Sequence, residues 1–111
     1  MSPATLEAAV LGAGEGSQPN GLNESAGAPD DLKEIGGIGP VNEQWLHSMG
    51  IYHFWQVANW TVDECAWIAH HMPTANFGGR VYRENWVLQA TQLARGEVTE
   101  AKEKYLRGEQ I

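Results

Sequence analysis

Apolar side chains fall at helical spacings along most of this chain. Val41, Trp45, Leu46 and Met49 recur at intervals of 4, 1 and 3, which places them on one face of a helix from Pro40 to about Met49, with Gly50 as its left-handed cap. Tyr82, Trp86, Ala90 and Leu93, at intervals of 4, 4 and 3, draw a stripe along a longer helix from Arg80 to Arg95 that Gly96 closes. Thr61 and Glu64 form a capping-box pattern that opens a helix over Val62 to Met72, and Pro73 ends it. A brief helix from Phe54 to Asn59 precedes that box, and a loop from Pro73 to Gly79 follows the helix. Leu32 and Ile35, three apart, predict a first short helix, for which Asp31 and Glu34 supply a second capping pair. No segment of four or more residues alternates cleanly at period two, so no strand is expected. The pattern predicts an all-α domain of five short helices around one core.

The flanks read differently. Residues 1–28 hold Gly12, Gly14, Gly16, Gly21 and Gly27 among Ser, Asn, Pro and acids, with no aromatic residue. Such a segment buries too little surface to offset its ordering entropy, so it is expected to be disordered, with only transient helical turns between Ala4 and Leu11. A partner-binding peptide around Leu6 to Leu11 is the functional alternative. The ordered domain is expected over residues 29–96. Residues 97–111 alternate in charge, with Glu100 and Lys104 four apart, and predict a marginal, solvated C-terminal helix.

Between the first two helices lies Ile35-Gly36-Gly37-Ile38-Gly39-Pro40. Glycines remove the steric bar to positive φ, so the first helix must stop here, while Pro40 suits the first position of the next one. Ile38 is expected to plug the space between the two helices, with Gly37 and Gly39 taking left-handed turns around it. The free N–H groups at the start of the second helix make Gly37, Ile38, Gly39, Pro40 and Val41 a candidate anion-binding or partner-contact surface.

These residues, with Leu32 and Ile35 before the turn and Leu46 after it, resemble the helix-hairpin-helix family. That resemblance implies a SAM-like arrangement and, in many members, a grip on nucleic-acid backbone phosphate. Over about residues 29–95 the chain is similar to the small domain appended, in some bacteria, to an iron–sulfur subunit of NADH:quinone oxidoreductase, and to some ribosomal proteins. Gly50-Ile51-Tyr52-His53-Phe54 and Gly79-Arg80 to Gln89-Ala90 carry the match. The chain departs from the phosphate-binding pattern just beyond the turn, where Val41, Asn42 and Glu43 stand in place of a lysine or arginine.

Charge sharpens that departure. The formal net charge is −7, from 14 acidic and 7 basic side chains, which opposes attraction to a polyanion. Residues 1–30 carry four acids and no base, and residues 31–94 carry six acids against Lys33, Arg80 and Arg83. Cys65 is the only cysteine, which excludes an intramolecular disulfide and an all-cysteine metal cage and fits a reducing cytoplasm. One cysteine also cannot ligate the iron–sulfur cluster that the oxidoreductase carries next to its appended domain. His47, His53, His70 and His71 offer no pair at the i, i+4 spacing of a helical metal site, so no metal or other cofactor is expected. No phosphate loop ends in Gly-Lys-Ser/Thr, no acid pair marks a catalytic cleft, and no apolar run reaches membrane-spanning length.

The remaining chemistry is aromatic. Trp45, Trp55, Trp60, Trp67 and Trp86 are many for so small a domain. Trp45 and Trp86 are expected to pack inside, and Trp55, Trp60 or Trp67 to contribute to an exposed aromatic patch of the kind found at protein interfaces; the alternative is that all five are partly buried by one another. The sequence therefore points to a non-enzymatic helix-hairpin-helix module that binds a protein partner in the cytoplasm. Weak, structure-directed DNA or RNA binding through the Gly-Ile-Gly turn is the first alternative. An accessory domain of NADH:quinone oxidoreductase is the second.

Overall fold

A computed structural model describes residues 2–74 and 79–109 of the chain. Among these residues the fold is all-α: α1 (Pro3–Gly12), a 3-10 turn (Leu32–Glu34), α2 (Pro40–Ser48), α3 (Phe54–Ala58), α4 (Val62–His71), α5 (Arg80–Arg83), α6 (Trp86–Ala94) and α7 (Glu100–Leu106). The helix starts follow the sequence closely. Thr61 Oγ1 accepts the Glu64 amide at 3.2 Å while Glu64 Oε1 accepts the Thr61 amide at 2.8 Å, completing the expected capping box of α4. Pro40 opens α2, and Gly50, with φ 81°, turns the chain out of it. The core gathers Leu32, Ile35, Ile38, Leu46, Ile51, Val57, Ile68, Val81, Trp86 and Ala90, and α3 packs most extensively against α6.

Two predicted helices take a different form. The first is a single 3-10 turn, because Glu34 does not reach back to close the capping box. Its carboxylate pairs instead with Lys102 at 3.3 Å, and Asp31 alone receives the Lys33 amide. The long helix from Arg80 to Arg95 is two helices, broken at Asn85, whose φ of 49° is left-handed. Asparagine tolerates that conformation better than most residues, and its side chain offsets the lost helical bonds by accepting the Leu88 amide at 3.3 Å. Trp86, Ala90 and Leu93 of the expected stripe are buried, but in the preceding turn it is Val81 rather than Tyr82 that enters the core. Of the predicted loop from Pro73 to Gly79, residues 75–78 lie outside the described residues.

The largest correction concerns residues 1–28, expected to be disordered. Ser2 caps α1 by accepting the Thr5 amide at 3.2 Å, and Leu6 and Val10 are 5% and 4% exposed in the core, against α4 and α5. These two side chains, four apart, could not hold a helix in isolation. A groove built by distant helices provides the burial, which is why composition misjudged the segment.

Residues 16–30 then run as a strap across the domain. Ser17 donates to Asp63 O (3.0 Å), Leu22 to Gly50 O (2.9 Å) and Asp30 to Tyr52 O (3.0 Å) through their backbone amides. The C-terminal segment is also docked. Tyr105 Oη donates to Asp31 Oδ2 at 2.7 Å, holding α7 against the 3-10 turn.

Leu6→Ala tests the correction. Removing a buried leucine should lower the unfolding free energy by about 2–4 kcal/mol in a denaturant titration, whereas the same change in a disordered segment would shift it by less than about 0.5 kcal/mol.

Candidate functional site

The glycine turn is built from both sides. Ile35 closes the 3-10 turn through its amide to Leu32 O at 3.0 Å, and the Ile38 amide donates to Ile35 O at 3.1 Å. Ile38, 4% exposed, is the expected plug. Gly37 carries the left-handed φ, at 96°, while Gly39 is extended at φ −100°, ψ −173°. Only one of the two flanking glycines therefore needs glycine's conformational freedom, and the expectation for Gly39 is corrected. A Cβ on Gly37 would stand 2.9 Å from Trp86 Nε1 and 3.1 Å from Arg80 Cδ, whereas one on Gly39 would meet nothing within 4 Å.

Helix α6 supplies the other half. Gln89 Oε1 accepts the Gly36 amide at 2.9 Å while its Nε2 donates to Glu84 O at 2.6 Å, so one side-chain amide bolts the turn to the α5–α6 break. Neither Gln89 nor Arg80 stood out by local pattern. Their part in the family resemblance was the only hint that they mattered.

Pro40 and Val41 lie at the exposed start of α2, where the amides of Val41 and Asn42 precede the first intrahelical bond, from Glu43 to Gly39 O. A cleft of about 240 Å³ opens beside the turn, lined by residues 35–40, Lys33, Tyr105 and Glu109. Glu43, which stands near the place of the missing cation, does not point its carboxylate away into solvent. It folds back to accept the Leu32 amide at 2.9 Å and Lys33 Nζ at 3.0 Å, leaving its side chain 15% exposed.

Lys33 is shared with Asp31 at 2.8 Å, and hydrogen bonds to Asp31 and then Glu43 hold its ammonium pKa above the ordinary lysine value. Partial burial pulls the Asp31 carboxyl upward, but hydrogen bonds from Lys33 and Tyr105 outweigh it and leave the pKa below the ordinary aspartate value. The one lysine beside the turn is thus neutralised twice over. Arg80 brings a second cation against Gly37, where it pairs with Glu84 at 3.5 Å.

Of the three tryptophans that are candidates for a surface patch, Trp55 is the exposed one. Trp60 is 7% exposed and belongs to the core, because the chain between α3 and α4 turns its ring inward. Trp55 is 47% exposed and stacks on His53 at 5.9 Å. Trp67 is half-buried between Trp45 at 6.1 Å and His71 at 4.1 Å. Trp86 is fully buried as expected, while Trp45 keeps part of its ring at the surface.

One constellation has a catalytic outline that sequence spacing did not reveal. Ser25 Oγ lies 3.3 Å from His53 Nε2, and His53 Nδ1 lies 3.6 Å from Asp30 Oδ2. Its hydrogen bonds point elsewhere. The Ala26 amide already donates to His53 Nε2 at 3.0 Å, Ser25 donates to Gly27 O at 2.6 Å, and Asp30 Oδ2 accepts the Phe54 amide at 2.9 Å. With its single lone pair occupied, Nε2 cannot take a serine proton, so the group fastens the strap rather than activating a nucleophile. Cys65 is equally unsuited to chemistry, since burial, aided by Glu64, pushes its thiol up to about 12. Among the described residues no three His, Cys, Asp or Glu side chains are placed to hold a metal. No helix among them is long and apolar enough to cross a membrane.

Residues 32–94 match the family described as the RS2/RL21/YNQ2 HHH domain. Curated relatives include the large ribosomal subunit protein bL21 of Jannaschia sp. (strain CCS1), 42% identical over 80 residues that cover 70% of this chain and 30% of that protein. The small ribosomal subunit protein uS2 of Methylocella silvestris is 42% identical over 72 residues, covering 65% of this chain and 20% of that protein. An uncharacterized 22.9 kDa protein in the nqo2 3' region of Paracoccus denitrificans is 37% identical over 95 residues, covering 83% of this chain and 42% of that protein. The expected kinship with ribosomal proteins is thereby shown, and the chain spans less than half the length of each of these relatives. No solved structure matches.

The hairpin geometry separates two otherwise similar substitutions. Gly37→Ala should destabilise the fold by about 1–3 kcal/mol, through its positive φ and its contact with Trp86, while Gly39→Ala should stay within about 0.5 kcal/mol of wild type. Paired denaturant titrations would measure both.

The Asp31 network predicts a pH dependence. A carboxyl whose folded pKa is depressed contributes stability above its unfolded pKa and loses it as the pH falls through the folded value. The stability difference between wild type and Asp31→Asn should therefore be present at neutral pH and vanish in strong acid. It should be no more than about 1 kcal/mol, because Asp31 is partly solvated.

Proposed function

We propose that this chain, which belongs to the RS2/RL21/YNQ2 HHH domain family, serves as a non-enzymatic protein-interaction module. The observation that carries this reading is the condition of the basic side chains. Lys33, Arg80, Arg95, Lys102, Lys104 and Arg107 each lie between 2.7 and 3.9 Å from a carboxylate of this same chain. The pairs of Arg95, Lys104 and Arg107 are exposed and yield easily, but Lys33, Arg80 and Lys102 are mostly buried beside their carboxylates and would have to leave them to neutralise phosphates, in a molecule with a net charge of −7. The cleft beside the turn adds a carboxylate, Glu109, to its own lining. Phosphate binding is therefore opposed where the family geometry would otherwise favour it.

The partial match to larger relatives supports the same reading. In bL21 and uS2 the similar segment accounts for 30% and 20% of the protein, as suits a unit that is appended to other domains and used for docking. The single buried thiol and the kinship with ribosomal proteins support a place in the cytoplasm.

Nucleic-acid backbone binding is the second reading, and Arg80 favours it. Its side chain packs on Gly37 and supplies from α5 the cation that the residues after Pro40 do not. The resemblance to the small domain appended to an iron–sulfur subunit of NADH:quinone oxidoreductase gives a third, an accessory domain of that enzyme.

Titration with short DNA and RNA duplexes separates the first two. At physiological salt the wild type should bind no better than about millimolar, and Val41→Lys should add weak, salt-sensitive affinity at the exposed start of α2. Micromolar binding by the wild type would overturn the protein-interaction reading and put backbone binding in its place.

A further inference from the structure

We propose that α7 is a displaceable cover over the hairpin, which a partner protein must lift to reach the face of residues 36–39. The inference rests on the protein-interaction reading and adds to it a control on access. Tyr105 and Glu109 stand with Lys33 and residues 35–40 as walls of the cleft of about 240 Å³ beside the turn. Ala101, one turn before Tyr105, lies over Gly36, its Cβ only 3.3 Å from where a Cβ on that glycine would stand. Gly36 and Ile38 are buried in this arrangement.

The helix is fastened rather than packed. No residue of α7 is buried, and Leu106, its one large aliphatic side chain, is 66% exposed. Two polar latches hold it: Tyr105 Oη donates to Asp31 Oδ2 at 2.7 Å, and Lys102 Nζ pairs with Glu34 Oε1 at 3.3 Å. Its other flank stands off from α6 across a cleft of about 410 Å³, with Gln89 and Gln92 on one side and Glu100 and Lys104 on the other. The chain that leads to it, residues 94–98, is exposed and turns at Gly96, whose φ is 82°. By contrast, α1 sends Leu6 and Val10 into the core. Polar contacts at a surface contribute little net stability, so opening α7 costs little against unfolding the domain. The hairpin does not need α7 to keep its shape. Gln89 on α6 holds the Gly36 amide, Gly37 lies against Trp86, and the residues 32–94 that match the family close before α7 begins. Lifting the helix therefore opens the turn without dismantling it.

The test uses the full chain with Lys102→Gln and Tyr105→Ala together. Glutamine and alanine are good helix formers, so a loss of helix reports lost docking rather than lost propensity, and a helix of 7 residues does not persist alone in water. Amide hydrogen exchange and line broadening by a soluble, uncharged nitroxide are read by NMR. In the double variant the α7 amides should lose their protection, and broadening at the Hα protons of Gly36, Gly37 and Gly39 should rise several-fold over wild type, while α4 and α6 stay protected. An α7 that remains docked, a turn no more accessible once α7 has left, or protection lost in α4 and α6 as well would overturn the cover and leave the protein-interaction reading intact. Titration with a short DNA duplex separates the two. Micromolar binding by the double variant, with none by the wild type, would support the cover and overturn the protein-interaction reading.

Discussion

The structure depends on one close approach, that of the Gly37 turn to Trp86. A left-handed glycine lets the backbone lie directly over the indole, where any side chain would collide with Nε1. Trp86 can occupy that position because Asn85 breaks the helix immediately before it and starts α6 afresh. Gln89, almost one turn further along α6, then ties the Gly36 amide to the same break. The hairpin is thus held by α6 as much as by the two elements that it joins. Its rigidity comes from residues about 50 positions away in the chain.

The acids of this chain serve as fasteners. Glu43 joins α2 to the 3-10 turn, Asp31 receives Tyr105 from α7, Glu34 pairs with Lys102, and Asp30 accepts the Phe54 amide at the start of α3. An exposed ion pair contributes little to stability, but a carboxylate that accepts a backbone amide at an otherwise unsatisfied helix start contributes more. Carboxylates placed in this way also hold the cations close. Six of the seven lysines and arginines are held in this way by carboxylates of the same chain.

The same use of polar groups explains why a serine, a histidine and an aspartate can meet without forming an active site. Ser25 and Asp30 belong to the strap, and His53 is the post to which the strap is tied. Ser25 Oγ, His53 Nε2 and Asp30 Oδ2 are each already paired with a backbone group. Cys65, sealed in the core with its pKa raised, is likewise structural. On α2 the exposed large apolar side chain is Val41, while Trp45 and, on α4, Trp67 pack partly against the core.

By itself the sequence determined everything that depends on near neighbours: the all-α class, the capping box of α4, the starts of α2 and α4, the glycine turn with Ile38 as its plug, and the absence of a cation just after Pro40. These features are set within a few residues by backbone sterics and helical spacing. Tertiary structure decided the rest, because burial and charge pairing are properties of distant groups brought together. Leu6 and Val10 gave no amphipathic pattern, and only the groove between α4 and α5 makes α1 an ordered helix. Gly39 looked as constrained as Gly37, and only the course of the turn shows which of them needs positive φ. Trp60 could not be told from Trp55 and Trp67 by spacing, since its burial follows from the path of the chain between α3 and α4. The cation against the hairpin is invisible near Pro40 because it arrives on α5, already paired with Glu84.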